Sequence, residues 1–202
     1  MGHHYLKSIR MFLGLQCVAI GIALMVLNNY GLDPISMLQQ GISVQLGVSI
    51  GFAATFYNVM LILIVTVILR KKISVGTLVY TTTVGFLIDG YMHLISSIFS
   101  GPNLVMYIIG QLISCLGYAL LIVSQSASSL DLIIEYVVEN SKFAFARVRT
   151  FTDALFVVIG IMMGSKIHFG TLIIIITTGF FIQLYIKMLS NNLSVNIVNF
   201  KS

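Results

Sequence analysis

Gly76-Thr77-Leu78, followed by Gly85-Phe86-Leu87-Ile88, recurs as Gly170-Thr171-Leu172 followed by Gly179-Phe180-Phe181-Ile182. Between 76–91 and 170–185, eight of sixteen positions are identical at a fixed offset of 94. A second match, Thr55-Phe56 with Thr150-Phe151, falls at offset 95. The repeating unit runs over roughly 11–95 and 107–189. Residues 1–100 are therefore expected to form a first repeat and 101–202 a second, within a single membrane domain. Duplicated apolar chains are common among membrane transporters, whose halves meet at a substrate site.

Outward from the repeat, the composition sets the solvent. The chain is 58% hydrophobic and 8% charged, with a mean hydropathy of +1.02. A water-facing exterior cannot be built from so few charges, whereas lipid suits this surface. Cys17 and Cys115 lie in apolar runs and offer neither a disulfide framework nor metal spacing. The net charge of +5 sits between apolar segments, which fits loops beside an anionic leaflet better than a nucleic-acid surface. The first apolar run, 11–27, is read as a retained span, because it is long and lacks a small-x-small cleavage site.

Six stretches are long enough to cross about 30 Å of hydrocarbon: roughly 9–29, 51–70, 74–97, 104–124, 149–164 and 168–189. Two more, 34–46 and 129–140, are short and amphipathic. If these two do not cross and the N-terminus is cytoplasmic, Lys7, Arg10, Arg70, Lys71, Lys72, Lys142, Arg147, Arg149, Lys187 and Lys201 lie inside. That is ten of eleven basic residues, with Lys166 alone outside; crossing short helices would change the count to seven against four. The positive-inside rule favours the first arrangement, with both termini cytoplasmic. Three crossings per repeat then invert the halves. The expected fold is an all-α polytopic membrane protein of two inverted repeats of three transmembrane helices, each with one short non-crossing or re-entrant helix.

The short helices hold most of the polar residues, and polar groups in a bilayer are costly enough to need a reason. The first carries Ser36, Gln39, Gln40 and Ser43 as one stripe, and the second carries Asp131, Glu135 and Glu139 at i, i+4, i+8. At offset 95, Ser36 matches Asp131 and Gln40 matches Glu135. Asp33 before Pro34 predicts a capped helix start, and 126–129 offer serine hydroxyls for the same task. Candidate substrate-binding residues are accordingly Asp33, Ser36, Gln40, Ser128, Asp131 and Glu135. Two readings stay open: the stripes line a central site, or both helices lie flat at the interface with the stripes in water.

Asp131 and Glu135 are also candidates for proton coupling, since buried carboxylates exchange protons nearer neutrality. Asp89 and His93, one helical turn apart, form a second candidate pair, with a polar helix end at the outer interface as the plainer reading. Asp153 can pair with Arg149 at i−4, and Gln111 can bond between helices. No phosphate loop, nucleophile elbow or zincin helix occurs, so neither an enzyme nor a metal or other cofactor is expected.

The segments Gly21-Ile22-Ala23-Leu24, Gly31-Leu32-Asp33-Pro34, Val48-Ser49-Ile50-Gly51, Gly76-Thr77-Leu78 and Gly85-Phe86-Leu87-Ile88-Asp89 resemble the YczE/YyaS/YitT family of bacterial integral membrane proteins. The resemblance implies a multi-pass protein of the bacterial cell membrane with a transport role. Asp131 stands where the family commonly has Asp. Ser129 replaces a recurring Pro, and Phe145-Ala146 replaces Ile-Gly. The expected function is a secondary transporter or exporter of a small polar solute, by alternating access between inverted repeats. The alternatives are a substrate-binding subunit of an ATP-driven vitamin importer, or a membrane scaffold assisting a biosynthetic complex. Expected partners are the lipid bilayer and a small-molecule substrate; a homodimer is allowed but not required, and nucleic acid is not expected.

Overall fold

The computed structural model describes residues 2–70, 73–98, 101–124, 126, 128–143 and 145–190; the side chains of 2–4, 131, 135, 145, 146 and 190 are not among those described. The described residues are helical without strands. The order is α1 (Gly2–Asn28), α2 (Pro34–Leu46), α3 (Ile50–Leu63), a π-helical turn (Ile64–Ile68), α4 (Val75–Ile98), α5 (Leu104–Val123), α6 (Ser129–Glu139), α7 (Phe145–Met162) and α8 (Phe169–Ser190).

Four segments are long and apolar enough to cross a membrane: Tyr5–Asn28, Ile50–Ile68, Leu104–Val123 and Phe169–Leu189. Helices α4 and α7 have 24 and 18 residues, about 36 and 27 Å at 1.5 Å per residue. They fall short in apolarity, through Thr81, Thr82, Thr83, Asp89 and His93 on α4 and Arg147, Arg149 and Asp153 on α7. The surface fits lipid, since Leu172, Ile176 and Phe180 of α8 are exposed while Ser36, Thr77, Ser129 and Thr171 are fully enclosed.

Helices α1 and α5 form the antiparallel centre. A Cβ on Gly21 would stand 2.6 Å from the Gly110 carbonyl oxygen, and one on Gly14 would stand 3.0 Å from that of Gly117. Close backbone approach is what such small residues allow between membrane helices. The pair is pinned at one end by the Asn28 side-chain oxygen, which accepts from the Asn103 N–H at 2.6 Å. Around this centre, α4 packs on α1, α8 on α5, α3 on α4, and α2 on α7 and α3; α6 packs more lightly on α7 and α3. Two glutamines tie the outer helices to it. Gln16 of α1 accepts from the Tyr91 hydroxyl of α4 at 2.6 Å, and Gln111 of α5 donates to Thr177 of α8 at 2.6 Å.

Candidate functional site

The two short helices are entered through loops that the opposite half of the chain holds. Tyr30-Gly31-Leu32 precedes α2 and lies against the start of α8. The Gly170 N–H donates to the Tyr30 carbonyl at 2.9 Å, and the Leu32 N–H donates to the Thr171 hydroxyl at 3.3 Å. Gly31 has φ 144°, and a Cβ there would run into the Thr171 backbone, so both conformation and space require glycine. At the other end of the chain's repeat, Ser126 precedes α6 and lies against Gly76 at the start of α4, where a Cβ would meet the serine hydroxyl. Ser126 is buried and accepts from the Ser124 hydroxyl at 3.2 Å. The recurring glycine therefore sits against an entry loop in both halves, whereas Thr171 bonds to its loop and the Thr77 hydroxyl bonds to Ser74.

Helix α2 starts as its sequence predicts. Asp33 is the N-cap, its Oδ2 accepting from the Ser36 N–H at 3.3 Å, with Pro34 in the first turn. The Gly47 C-cap at φ 64° ends it. The face beyond the cap is enclosed. Asp33 is 8% exposed, Ser36 1% and Gln39 5%. Asp33 Oδ1, Ser36 Oγ and Gln39 Oε1 have no hydrogen-bond partner. Burial pushes the Asp33 carboxyl above the usual carboxylate range, and the neighbouring Ser36 offsets only part of that rise. Buried polar atoms are normally paired, so three free acceptors on one helix face are unusual. The remainder of the stripe is occupied: Gln40 Oε1 accepts from the Ser165 hydroxyl at 2.7 Å, and the Ser43 hydroxyl donates to the Val48 carbonyl at 2.6 Å.

Asp33 lies within electrostatic reach of Tyr107, Cys115 and Tyr118 on α5 and of Arg149 on α7. Tyr118 is half-buried and packs against the hydrophobic core. Arg149 is engaged with Asp153 through Nε at 3.2 Å, the i, i+4 pair its spacing predicts. Among the described residues, no basic side chain lies within ion-pair distance of Asp33.

On the second short helix, Ser128 is half-buried at the N-cap position, where its carbonyl accepts from the Leu132 N–H at 3.3 Å. Ser129 is fully enclosed and its hydroxyl is unpartnered. Asp131 and Glu135 belong to α6, but their side chains lie outside the described residues. Glu139, on the last turn, is exposed.

Asp89 and His93 part company. The Asp89 carboxylate caps the start of α3: Oδ2 accepts from the Ser49 hydroxyl at 2.5 Å and Oδ1 from the Gly51 N–H at 2.9 Å. Ser49 is itself the α3 N-cap, accepting from the Phe52 N–H at 3.1 Å. His93 is exposed, one turn further along α4, and forms no ion pair with Asp89. Sequence reasoning left out Tyr107, Tyr118 and the reach of Arg149. The polar run Tyr107, Gln111, Ser114, Cys115, Tyr118, one face of α5, could have signalled them. Among the described residues, no three His, Cys, Asp or Glu side chains stand close enough to hold a metal ion.

No curated protein and no solved structure matches the chain. Residues 5–187, which carry both entry loops and the free acceptors of α2, match the model described as a family of unknown function, and the chain belongs to that family, DUF6198.

Proposed function

We propose that this protein is a multi-pass transporter or exporter of a small polar solute in the bacterial cell membrane, working by alternating access between two inverted halves. The observation that carries the reading is the pair of crossed cradles: Gly170-Thr171 holds the loop before α2, and Gly76 holds the loop before α6. Two short helices, each entered through a loop seated in the other half, suit a transporter whose halves rock against one another around a central site.

The glycine contacts of α1 and α5 support the inversion. Gly14 and Gly21 precede Gly110 and Gly117 by 96 residues each. Exchanging the copies turns the Gly14–Gly117 contact into the Gly110–Gly21 contact. An antiparallel pair that survives this exchange has its two-fold axis across the helices, which for membrane-crossing helices lies in the membrane plane. The charge count supports cytoplasmic termini, and the resemblance to the YczE/YyaS/YitT family supports a multi-pass bacterial protein.

The solute meets Asp33, Ser36 and Gln39, whose free atoms are a carboxylate oxygen, a hydroxyl and an amide carbonyl. Acceptors dominate, so the solute presents hydrogen-bond donors, such as amino or hydroxyl groups. Asp131 and Glu135 on α6 bring proton coupling from the other half. The test is uptake into vesicles containing the purified protein, set against empty vesicles, for a panel of labelled amines, amino acids and sugars. One solute should enter only with the protein, and Asp33→Asn should stop it. Equal uptake by loaded and empty vesicles across the panel would overturn the reading.

A further inference from the structure

The first turns of α2 hold three oxygens that nothing in the protein meets. Asp33 caps the helix with Oδ2, which accepts from the Ser36 N–H at 3.3 Å, and its Oδ1 is left over. Ser36 Oγ and Gln39 Oε1 are left over as well. All three side chains are more than nine-tenths buried. Further along the same helix the polar groups are satisfied, Gln40 by Ser165 and Ser43 by the Val48 carbonyl. The unpaired oxygens are therefore confined to positions 33, 36 and 39. Residues three apart are neighbours on a helix surface. Helical side chains also lean towards the helix N-terminus. Gln39 thus leans over Ser36, and Ser36 over the Asp33 cap.

The charge of this row is uncovered too. Arg149 pairs with Asp153 at 3.2 Å, and among the described residues no basic side chain lies within ion-pair distance of Asp33. A buried carboxylate without a cation is costly, as is each buried acceptor without a donor. The vacancies share one chemistry: three acceptors and one negative charge.

We infer that Asp33, Ser36 and Gln39 bind a primary ammonium group of the solute, with one N–H to each free oxygen and the Asp33 carboxylate as counter-charge. The inference rests on the transport reading above and narrows its solute to a primary amine cation. An alkylammonium carries three N–H donors and one positive charge, as the lysine side chain does. A sugar brings hydroxyls but leaves the carboxylate unneutralised. Calcium or magnesium takes about six or more oxygens, beyond what α2 leaves free. A quaternary ammonium has the charge and none of the donors.

The full-length protein in lipid nanodiscs is melted in methylammonium, tetramethylammonium or sodium chloride at constant ionic strength. Methylammonium should raise the melting temperature of the parent, because a ligand bound only to the folded state stabilises it. Tetramethylammonium and sodium should leave it unchanged. Asp33→Asn keeps the helix cap and should abolish the methylammonium shift. Ser36→Ala and Gln39→Met each remove an unpaired buried acceptor. Without ligand they should melt at or above the parent temperature, yet each should need about tenfold more methylammonium for the same shift, the scale of one hydrogen bond to a charged group. No methylammonium shift in the parent overturns the assignment, as does an equal shift from sodium or from tetramethylammonium. A full shift in the Asp33→Asn protein overturns it too. So does a fall in the ligand-free melting temperature of both Ser36→Ala and Gln39→Met, which makes these side chains ordinary structural groups. Vesicle uptake is read separately. A protein that binds methylammonium and carries no solute keeps this site and loses the transport reading, whereas uptake of a neutral sugar alone does the reverse.

Discussion

Gly51 on α3 and Gly85 on α4 meet backbone to backbone, so that a methyl group on either would run into the other's carbonyl oxygen. Alanine at either position forces two packed helices apart, an overpacking cost of about 1–3 kcal/mol. Gly51→Ala and Gly85→Ala should therefore lower the melting temperature of the purified protein in detergent. Gly179→Ala has free space for its methyl and gains helix propensity, so it should leave the melting temperature unchanged or raise it. Equal melting temperatures for Gly85→Ala and Gly179→Ala would contradict the packing described.

The α1/α5 contact predicts an order of damage. A Cβ on Gly21 would stand 2.6 Å from Ser114, whereas on Gly14 its nearest neighbours are at 3.0–3.1 Å. Gly21→Ala should be the more destabilising of the two. Thermal unfolding monitored by size-exclusion chromatography ranks them, and the reverse order would count against this contact as the tighter one.

Asp33 has a structural role and a proposed binding role, which two substitutions separate. Asparagine caps helices about as well as aspartate, while alanine loses about 1 kcal/mol. Asp33→Asn should keep the melting temperature and lose uptake; Asp33→Ala should lose both. Full uptake by a stable Asp33→Asn protein would confine Asp33 to capping.

The carboxylates of α6 call for a transport readout with a pH axis. Asp131→Asn and Glu135→Gln keep side-chain volume and remove the titrating group, so uptake driven by a proton gradient should vanish. Glu139 is exposed, and Glu139→Gln should transport as the parent does. Undiminished gradient-driven uptake by both Asp131→Asn and Glu135→Gln would remove them from the coupling step.

Sidedness follows from the basic loops. Arg70 and Lys166 are both exposed, and the proposed topology has them on opposite faces. In intact cells, an impermeant thiol reagent should modify Lys166→Cys and spare Arg70→Cys. The opposite pattern sinks the proposed orientation.

Local features were the legible ones. Asp33 before Pro34 marks the start of α2, and Arg149 finds Asp153 one turn on. Both are decided by neighbours a few residues away. Partners distant in sequence were not legible. Asp89 offers His93 as its nearest titratable neighbour, yet its carboxylate goes to Ser49, forty residues earlier, because the helix start there has N–H groups to satisfy. The glycines of α1 and α5 carry no local sign of facing one another; their common offset becomes meaningful only when the helices are seen to cross. Hydropathy marks four of the helices, whereas α4 and α7 dilute the signal with threonines and charges, of which Thr81 is buried and Thr82 and Arg147 are exposed. The π-helical turn at 64–68 had no signature, since its residues are ordinary β-branched and aliphatic ones.

The crossed cradles also set an order of assembly. Leu32 and Thr171 are 139 residues apart, so the loop before α2 leaves the ribosome long before the helix start that holds it. Until α8 arrives, the Tyr30 carbonyl and the Leu32 N–H lack the partners they have in the finished protein. The loop before α6 faces no such delay, because Gly76 has already been made. Nascent chains halted before residue 169 should therefore seat their second short helix and leave the first unseated, a window in which insertion factors or quality-control proteases meet a half-closed molecule.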